Sequence, residues 1–278
     1  MKKLILAFAC ILSLKCVKSQ TAPRPDTIIY ISGNLRLKGL LWKPIGKGPF
    51  PAILFAHGSY SGSDTIHNVE KDISLLGPAF SKEGMIFFVP FRRGVGLSAG
   101  AGKNSADLMD QAMANEGVEG RNRVQIHELE TTQMDDMKAG LWVLIRRADV
   151  DTSRIGVMGH SFGGSLALLF AEQVTFLKAV VIFSPAGYSW NLSLTLRKHL
   201  MSAAKGIEIP VMIIHAQNDY SVKPGLTMDS ARKQVQKSEA LFIYPSFGNS
   251  ADQGHNIIFS DMGIWKTDVF EFLHKSFK

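Results

Sequence analysis

The sequence predicts an α/β fold with a mostly parallel central sheet and helices on both faces. Short apolar runs alternate with longer segments of helical spacing along most of the 278-residue chain. Strands that are hydrophobic on both faces are typical of parallel sheets covered by helices. The hydrophobic content of 46% is ordinary for a globular protein and too high for a disordered one.

The first residues predict a secretory signal peptide at 1–19. Lysines at 2 and 3 precede an apolar run at 4–14, and small side chains follow at Val17 and Ser19. The run is too short to cross a bilayer as a stable helix. We expect cleavage after Ser19, export to the periplasm or the medium, and a single domain over 20–278. Lipoprotein processing at Cys10 or Cys16 and a buried N-terminal helix are weaker alternatives.

Removal of this segment changes the charge and the cysteine content. The segment holds four lysines and no acidic residue, so the net charge falls from +7 to +3. Cys10 and Cys16 both leave with it. The mature chain therefore has no thiol for a disulfide, a nucleophile or a metal ligand. A mild charge without a basic block also argues against a nucleic-acid partner.

The first half of the mature chain predicts a hairpin, buried strands, helices and a long loop. The expected elements are a hairpin of 27–31 with 35–42, strands at 51–57 and 85–90, and helices at 69–83 and 124–147. The stretch 92–122 is rich in glycine and lacks periodicity. We expect a long loop there, with one short helix at 106–113.

The second half alternates regularly between strands and helices. The expected strands are 154–159, 178–183, 209–215 and 241–244, and the expected helices are 162–172, 188–205, 228–237 and 264–277. No internal repeat or linker interrupts this pattern. In such sheets ligands bind at the carboxyl ends of the strands, so the chemistry is expected there.

The sequence Gly-His-Ser-Phe-Gly at 159–163 matches the G-x-S-x-G motif of a serine nucleophile. Ser161 directly follows an expected strand and precedes an expected helix, which is the setting that exposes such a serine. A second match at 96–100 places Ser98 in a loop with no helix behind it. We therefore assign the nucleophile to Ser161.

A serine hydroxyl needs a base and a group that orients the base. Asp219 ends the turn after the strand at 209–215, and His255 follows the last strand. The order serine, aspartate, histidine is the one found when this motif serves acyl transfer. We predict that His255 takes the proton of Ser161 and that Asp219 holds the histidine ring.

From about residue 35 to 277 the chain resembles the α/β-hydrolase superfamily, and more closely its dienelactone hydrolase and prolyl-oligopeptidase-like branch. The motifs that carry the resemblance are 55–59, 91–98, 151–164, 215–219 and 254–255. True dienelactone hydrolases use cysteine where this chain has Ser161. The oxyanion hole is expected to use the backbone amide of Phe162. The resemblance implies Ser59 as the second donor, with Tyr60 as the alternative.

The other polar residues are expected to serve structure. His57 is expected to shape the oxyanion loop, and His160 to support the turn beside the nucleophile. Asp135 and Asp136 are expected on the solvent face of a helix. The histidines lack paired metal-ligand spacing, so we expect neither a metal nor a cofactor.

These observations predict an exported serine hydrolase, with carboxylesterase as the leading activity. Its substrate would be a small molecule or a short acyl or peptidyl compound, bound by residues from 92–125 and 187–205. Activity should rise with pH as His255 loses its proton. A dipeptidyl- or acylaminoacyl-type peptidase is the alternative enzyme, although such relatives usually carry a propeller domain for which this chain lacks room. A non-catalytic binding protein is the third possibility, and the oligomeric state stays open.

Overall fold

A computed structural model describes residues 24–60, 65–237 and 239–278. The predicted signal peptide at 1–19 and its cleavage site lie outside the described residues. The described residues form an eight-stranded sheet in the order β1-β2-β4-β3-β5-β6-β7-β8. Its strands are β1 (Asp26–Ser32), β2 (Leu35–Trp42), β3 (Phe50–Ala56), β4 (Ile86–Pro90), β5 (Val150–His160), β6 (Ala179–Phe183), β7 (Val211–Ala216) and β8 (Glu239–Tyr244).

The sheet is mixed and mostly parallel, as predicted. β1 and β2 form the expected antiparallel hairpin, in register from Asp26 opposite Leu41 to Ser32 opposite Leu35. β2 is also antiparallel to β4, whereas every pairing from β4 through β3 to β8 is parallel. The carboxyl ends of six strands therefore meet at one edge of the sheet.

Helices cover both faces of this sheet. They are α1 (Thr65–Ile73), α2 (Leu76–Lys82), α3 (Ser105–Glu130), α4 (Thr132–Ile145), α5 (Phe162–Gln173), α6 (Leu194–Gly206), α7 (Lys223–Gln234), α8 (Ala251–His255), α9 (Ile257–Ser260) and α10 (Met262–Ser276). Successive strand residues point to opposite faces. Leu54 accordingly packs in the core with Leu166, whereas Ile53 packs in the opposite core with Trp265.

The expectation of a long loop over 92–122 is wrong. Residues from Ser105 onward form α3, a helix whose Gly117 has non-helical angles (φ 70°, ψ −158°) that kink it. Its buried side consists largely of small and polar residues: Ser105, Ala106, Met109, Ala112, Gly120, Asn122, Gln125, Glu128 and Leu129. Because that side is barely apolar, α3 shows no hydrophobic periodicity in the sequence.

Other helix boundaries also differ from the expectation. The helix expected over 69–83 is two helices, α1 and α2, and the helix expected over 124–147 is divided at Thr131 (φ −122°, ψ −93°). The helix expected from 188 begins at Leu194, where the Ser193 hydroxyl accepts a hydrogen bond from the Leu196 amide and caps it.

Asp136 is buried, which contradicts the expectation of a solvent-facing pair at 135–136. Its carboxylate accepts hydrogen bonds from the Ser32 hydroxyl (2.6 Å) and from Arg93 Nη2 (2.7 Å). Only Asp135 faces solvent. Asp136 thus joins the β1–β2 hairpin and the segment after β4 to α4, a role that the sequence spacing does not reveal.

Candidate active site

The structure brings Ser161, Asp219 and His255 together at the carboxyl edge of the sheet. Ser161 follows β5, Asp219 follows β7, and His255 ends α8, which comes after β8. The Ser161 Oγ lies 2.8 Å from His255 Nε2, and His255 Nδ1 lies 2.7 Å from Asp219 Oδ1. A serine, a histidine and a carboxylate in this chain of hydrogen bonds form the geometry that transfers a proton from a nucleophile.

Ser161 occupies a sharp turn between β5 and α5. Its backbone angles (φ 56°, ψ −120°) are rare for a residue other than glycine. A Cβ atom at Gly159 would lie 2.1 Å from the Gly163 carbonyl oxygen, and one at Gly163 would lie 2.1 Å from that of Ala56. Both glycines of the motif are therefore required by close backbone approaches, which hold the serine at the start of the helix.

Asp219 accepts hydrogen bonds from two histidines. The second is His215, whose Nδ1 lies 2.7 Å from Asp219 Oδ2. Burial alone would raise the pKa of Asp219, but the hydrogen bonds from His215 and His255 outweigh it and hold that pKa well below its usual range. The carboxylate is therefore ionised whenever the protein is folded near neutral pH. The sequence analysis did not identify His215, although its position four residues before Asp219 is visible.

Two hydrogen bonds hold the backbone of His255, and the absence of a side chain at Gly187 leaves room for the Asp219–His255 pair. The Ser184 hydroxyl (3.0 Å) and His160 Nε2 (2.9 Å) both donate to the His255 carbonyl. His160 is buried, and burial lowers its pKa to about 3, so the ring is neutral. A Cβ atom at Gly187 would lie 2.8 Å from Asp219 Oδ1. The His160 contact agrees with its expected supporting role.

The residues expected to form an oxyanion hole border the same cleft. Phe162 is the first residue of α5, so its amide has no acceptor within the helix. Gly58, Ser59 and Tyr60 follow β3 and line the cleft opposite. The segment after β3 and the first residue of α5 thus border the same cleft.

The cleft has a volume of about 280 Å³. Both segments that were expected to line it contribute, with Met109, Arg121 and Gln125 from 92–125 and Gly187, Tyr188 and Ser189 from 187–205. Arg121 lies with its guanidinium 5.3 Å from the centre of the Tyr188 ring. Tyr220 also lines the cleft, with its ring centre 5.0 Å from that of His255 and 6.0 Å from that of Tyr188.

A family model described as "Dienelactone hydrolase family" matches residues 37–261. This match spans β2 to α9 and includes every residue of the site described above. The chain belongs to the dienelactone hydrolase family.

Relatives of this family member carry several hydrolase names. An uncharacterized peptidase, YtmA, of Bacillus subtilis is 23% identical over 80% of this chain and 84% of its own length. A bis(hydroxyethyl) terephthalate hydrolase of Streptomyces coelicolor is 30% identical over 40% of this chain and 35% of its own length. The crystal structure of an esterase from Pyrococcus furiosus superposes with a TM-score of 0.65 at 18% identity, covering 92% of each chain. The similarity to the Pyrococcus furiosus structure shows a shared fold only.

The second motif serine of this dienelactone hydrolase family member lies away from the cleft. Ser98 is buried in a short 3₁₀ turn (Gly96–Ser98), and its hydroxyl accepts a hydrogen bond from the Lys38 amide at 2.9 Å. It therefore ties the turn to β2. Ser98 thus has a structural contact, in contrast to Ser161, which lines the cleft.

Residues 24–60, 65–237 and 239–278 contain no group of three or more histidine, cysteine, aspartate or glutamate residues placed to hold a metal ion. None of the helices in these ranges combines the length and the hydrophobicity that a membrane span requires.

Proposed function

We propose that this protein is an exported serine carboxylesterase in which Ser161, His255 and Asp219 form the catalytic triad. The observation that carries the proposal is the continuous chain of hydrogen bonds from Ser161 Oγ through the His255 ring to Asp219. The ionised Asp219 accepts a hydrogen bond from the Nδ1–H of His255, so the unprotonated Nε2 faces Ser161 and can accept the proton of the serine hydroxyl.

Acylation begins when Ser161 Oγ attacks the carbonyl carbon of the ester while its proton moves to His255 Nε2. The carbonyl oxygen becomes an anion, which the amides of Phe162 and Ser59 stabilise. The tetrahedral intermediate then collapses, and the protonated His255 gives its proton to the departing alcohol. The acyl group is left on Ser161 as an ester.

Deacylation repeats these steps with water. His255 removes a proton from a water molecule, whose oxygen attacks the acyl carbon. His255 then returns the proton to Ser161 Oγ as the carboxylic acid departs. Each step therefore requires His255 to begin unprotonated.

The names of two relatives support an ester substrate. The Streptomyces coelicolor relative is named for a terephthalate diester, and the Pyrococcus furiosus structure is that of an esterase. An ester also demands less of the site than an amide, because an alcohol leaves more readily than an amine. The small cleft fits short acyl groups.

The test is a panel of 4-nitrophenyl esters of increasing acyl length, assayed with the wild type, Ser161→Ala and Ser98→Ala. We expect Ser161→Ala to lose about 10⁴-fold or more in kcat and to escape labelling by a fluorophosphonate probe. Ser98→Ala is the matched control and keeps labelling and turnover. Full activity of Ser161→Ala would refute the assignment.

A peptidase is the second candidate because the Bacillus subtilis relative, which aligns with 80% of this chain, carries that name. Aminoacyl and dipeptidyl 4-nitroanilides assayed beside the esters separate the two activities. A higher kcat/KM for the anilides would make the protein a peptidase. If the wild type neither labels nor hydrolyses any of these compounds, a binding protein on a hydrolase scaffold is the remaining explanation.

Export is the part of the proposal that rests on the sequence at 1–19. The test is expression of the full chain with C-terminal detection and N-terminal sequencing of the product outside the cytoplasm. We expect the product to begin at Gln20. An unprocessed product confined to the cytoplasm would refute export, and a lipid-modified Cys10 or Cys16 would replace it with lipoprotein processing.

A further inference from the structure

We infer that Arg92 is a positioning residue that fixes the Gly58–Ser59 peptide and aims the Ser59 amide into the oxyanion hole. The inference rests on the proposed function and chooses between Ser59 and Tyr60, which the sequence leaves open. Its basis is the set of contacts that Arg92 makes beneath the loop after β3.

Arg92 is fully buried under that loop. Its Nη2 donates to the carbonyl oxygens of His57 (2.7 Å) and Gly58 (3.2 Å), and its Nε donates to Gln133 Oε1 (2.7 Å). Among the described residues, the hydrogen-bond partners of this guanidinium include no carboxylate. The buried carboxylate of Asp136 is bonded to Arg93 instead. A buried cation is thus directed at two backbone carbonyls.

The ring of His57 bonds the Gly58 carbonyl from a second direction. Its Nε2 accepts the backbone amide of Arg92 at 3.2 Å, which places the ring proton on Nδ1. That Nδ1 donates to the Gly58 carbonyl at 2.7 Å. Burial and the nearby charge of Arg92 hold the pKa of His57 well below its usual range, so the ring remains neutral. This is the contact expected of a residue that shapes the loop.

Two donors on the Gly58 carbonyl also determine the direction of the next amide. The C=O of Gly58 and the N–H of Ser59 belong to one planar trans peptide and point in opposite directions. Because the carbonyl points inward to Arg92 and His57, the Ser59 N–H points outward to the cleft that Ser59 lines. A Cβ atom at Gly58 would lie 3.6 Å from the Ser161 Cβ, so this peptide is adjacent to the nucleophile.

Arg92 also contacts the other side of the expected oxyanion hole. Its Cζ lies 5.7 Å from the centre of the Phe162 ring, and Phe162 supplies the first amide donor. A buried cation without a bonded carboxylate lowers folding stability. The negative charge that develops on the carbonyl oxygen during attack would offset this positive charge. We therefore expect Arg92 to lower the free energy of the transition state and to leave substrate binding largely unchanged.

The test compares 4-nitrophenyl acetate with O-(4-nitrophenyl) thionoacetate, whose C=S sulfur is a poor hydrogen-bond acceptor. The enzymes are the wild type, Arg92→Met and Arg92→Lys, with Arg93→Met as the matched control. For Arg92→Met we expect kcat on the oxygen ester to fall about 100-fold with KM within about 3-fold of the wild type. The ratio of oxygen-ester to thionoester rates should fall about 10-fold, since the sulfur compound gains less from the oxyanion hole.

The controls separate positioning from folding and from the proposed function. Arg93→Met removes the neighbouring arginine, which bonds Asp136, and should keep the wild-type ratio even though its Tm falls. Arg92→Lys keeps a charge without the planar group and should give an intermediate ratio; it is the variant to use if Arg92→Met does not fold. An unchanged ratio in a folded Arg92 variant would overturn the inference. An inactive and unlabelled wild type would instead refute the proposed function.

Discussion

Both carboxylate oxygens of Asp219 are occupied by buried histidine donors, so this side chain has one orientation. His255 uses one oxygen and His215 the other. His215 is fully buried, and its Nε2 has no hydrogen-bond partner among the described residues. The Nδ1–H of His215 is therefore a fixed donor to Asp219. In the mechanism we propose, His215 acts through this contact with Asp219.

We predict that His215→Leu lowers kcat about 10-fold and moves the acid limb of the kcat/KM profile to higher pH. Loss of one donor makes the Asp219 carboxylate more basic. A more basic carboxylate favours the protonated form of His255, and that form cannot accept the Ser161 proton. The measurement is the pH profile on 4-nitrophenyl acetate.

His215→Asn is the control, because its side-chain N–H can replace the Nδ1 donor. We expect this variant to recover most of kcat and the wild-type acid limb. If the two variants lose stability and rate equally without a shift of the limb, His215 contributes packing only.

The main site residues were predictable because their chemistry restricts their order and setting. Ser161 stands between a strand and a helix in a glycine motif, and Asp219 and His255 each follow a strand. His215 and Arg92 were not predictable as contributors. Their roles depend on which buried atoms they contact, and contacts between distant segments leave no pattern along one sequence.

At the scale of elements, the strand-to-helix turn at Ser161 depends on the small size of Gly163. We predict that Gly163→Ala destabilises the fold by about 2 kcal/mol or more, since its Cβ would overlap the Ala56 carbonyl oxygen. Urea unfolding followed by circular dichroism measures this effect.

Gly100→Ala is the matched substitution, because a Cβ atom there has no neighbour within 4 Å. It should change the free energy of unfolding by no more than about 0.5 kcal/mol. Equal stabilities for the two variants would show that β3 and α5 can separate at little cost, against the close approach of Gly163 to Ala56.

Strands were predicted better than helices, and α3 shows why. Buried parallel strands are visible in the sequence as continuous apolar runs, as at Ile86–Pro90. In contrast, α3 packs polar residues inward, where Asn122 Nδ2 donates to the Leu192 carbonyl (2.7 Å) and Gln125 Nε2 to Ser189 Oγ (3.1 Å). Its stability therefore comes partly from specific hydrogen bonds, which apolar periodicity does not report.

For the molecule as a whole, Asp136 connects two segments to the helical layer: the hairpin through Ser32, and the segment after β4 through Arg93. We predict that Asp136→Asn lowers the free energy of unfolding by about 3 kcal/mol, because it leaves Arg93 without its buried counter-charge. The measurement is urea unfolding at neutral pH.

Asp135→Asn changes the neighbouring exposed carboxylate and serves as the control. Its effect should stay within about 0.5 kcal/mol. A similar loss of unfolding free energy in both variants would mean that the net charge of α4 causes the effect and that the buried Asp136–Arg93 pair does not.

Of the four non-glycine residues with positive φ in the described part of the chain, three lie around the proposed nucleophile, and the fourth, Gln236, follows α7. Ser161 (φ 56°), Ser184 (φ 50°) and Ala186 (φ 53°) have positive φ values, and all three lie at the ends of the central strands β5 and β6. Each such conformation costs on the order of 1–3 kcal/mol and persists only where its surroundings enforce it. The packing of the apolar cores on both faces of the sheet must therefore offset the conformational free energy of these three residues. In the mechanism we propose, this cost maintains the orientation of the Ser161 hydroxyl toward His255.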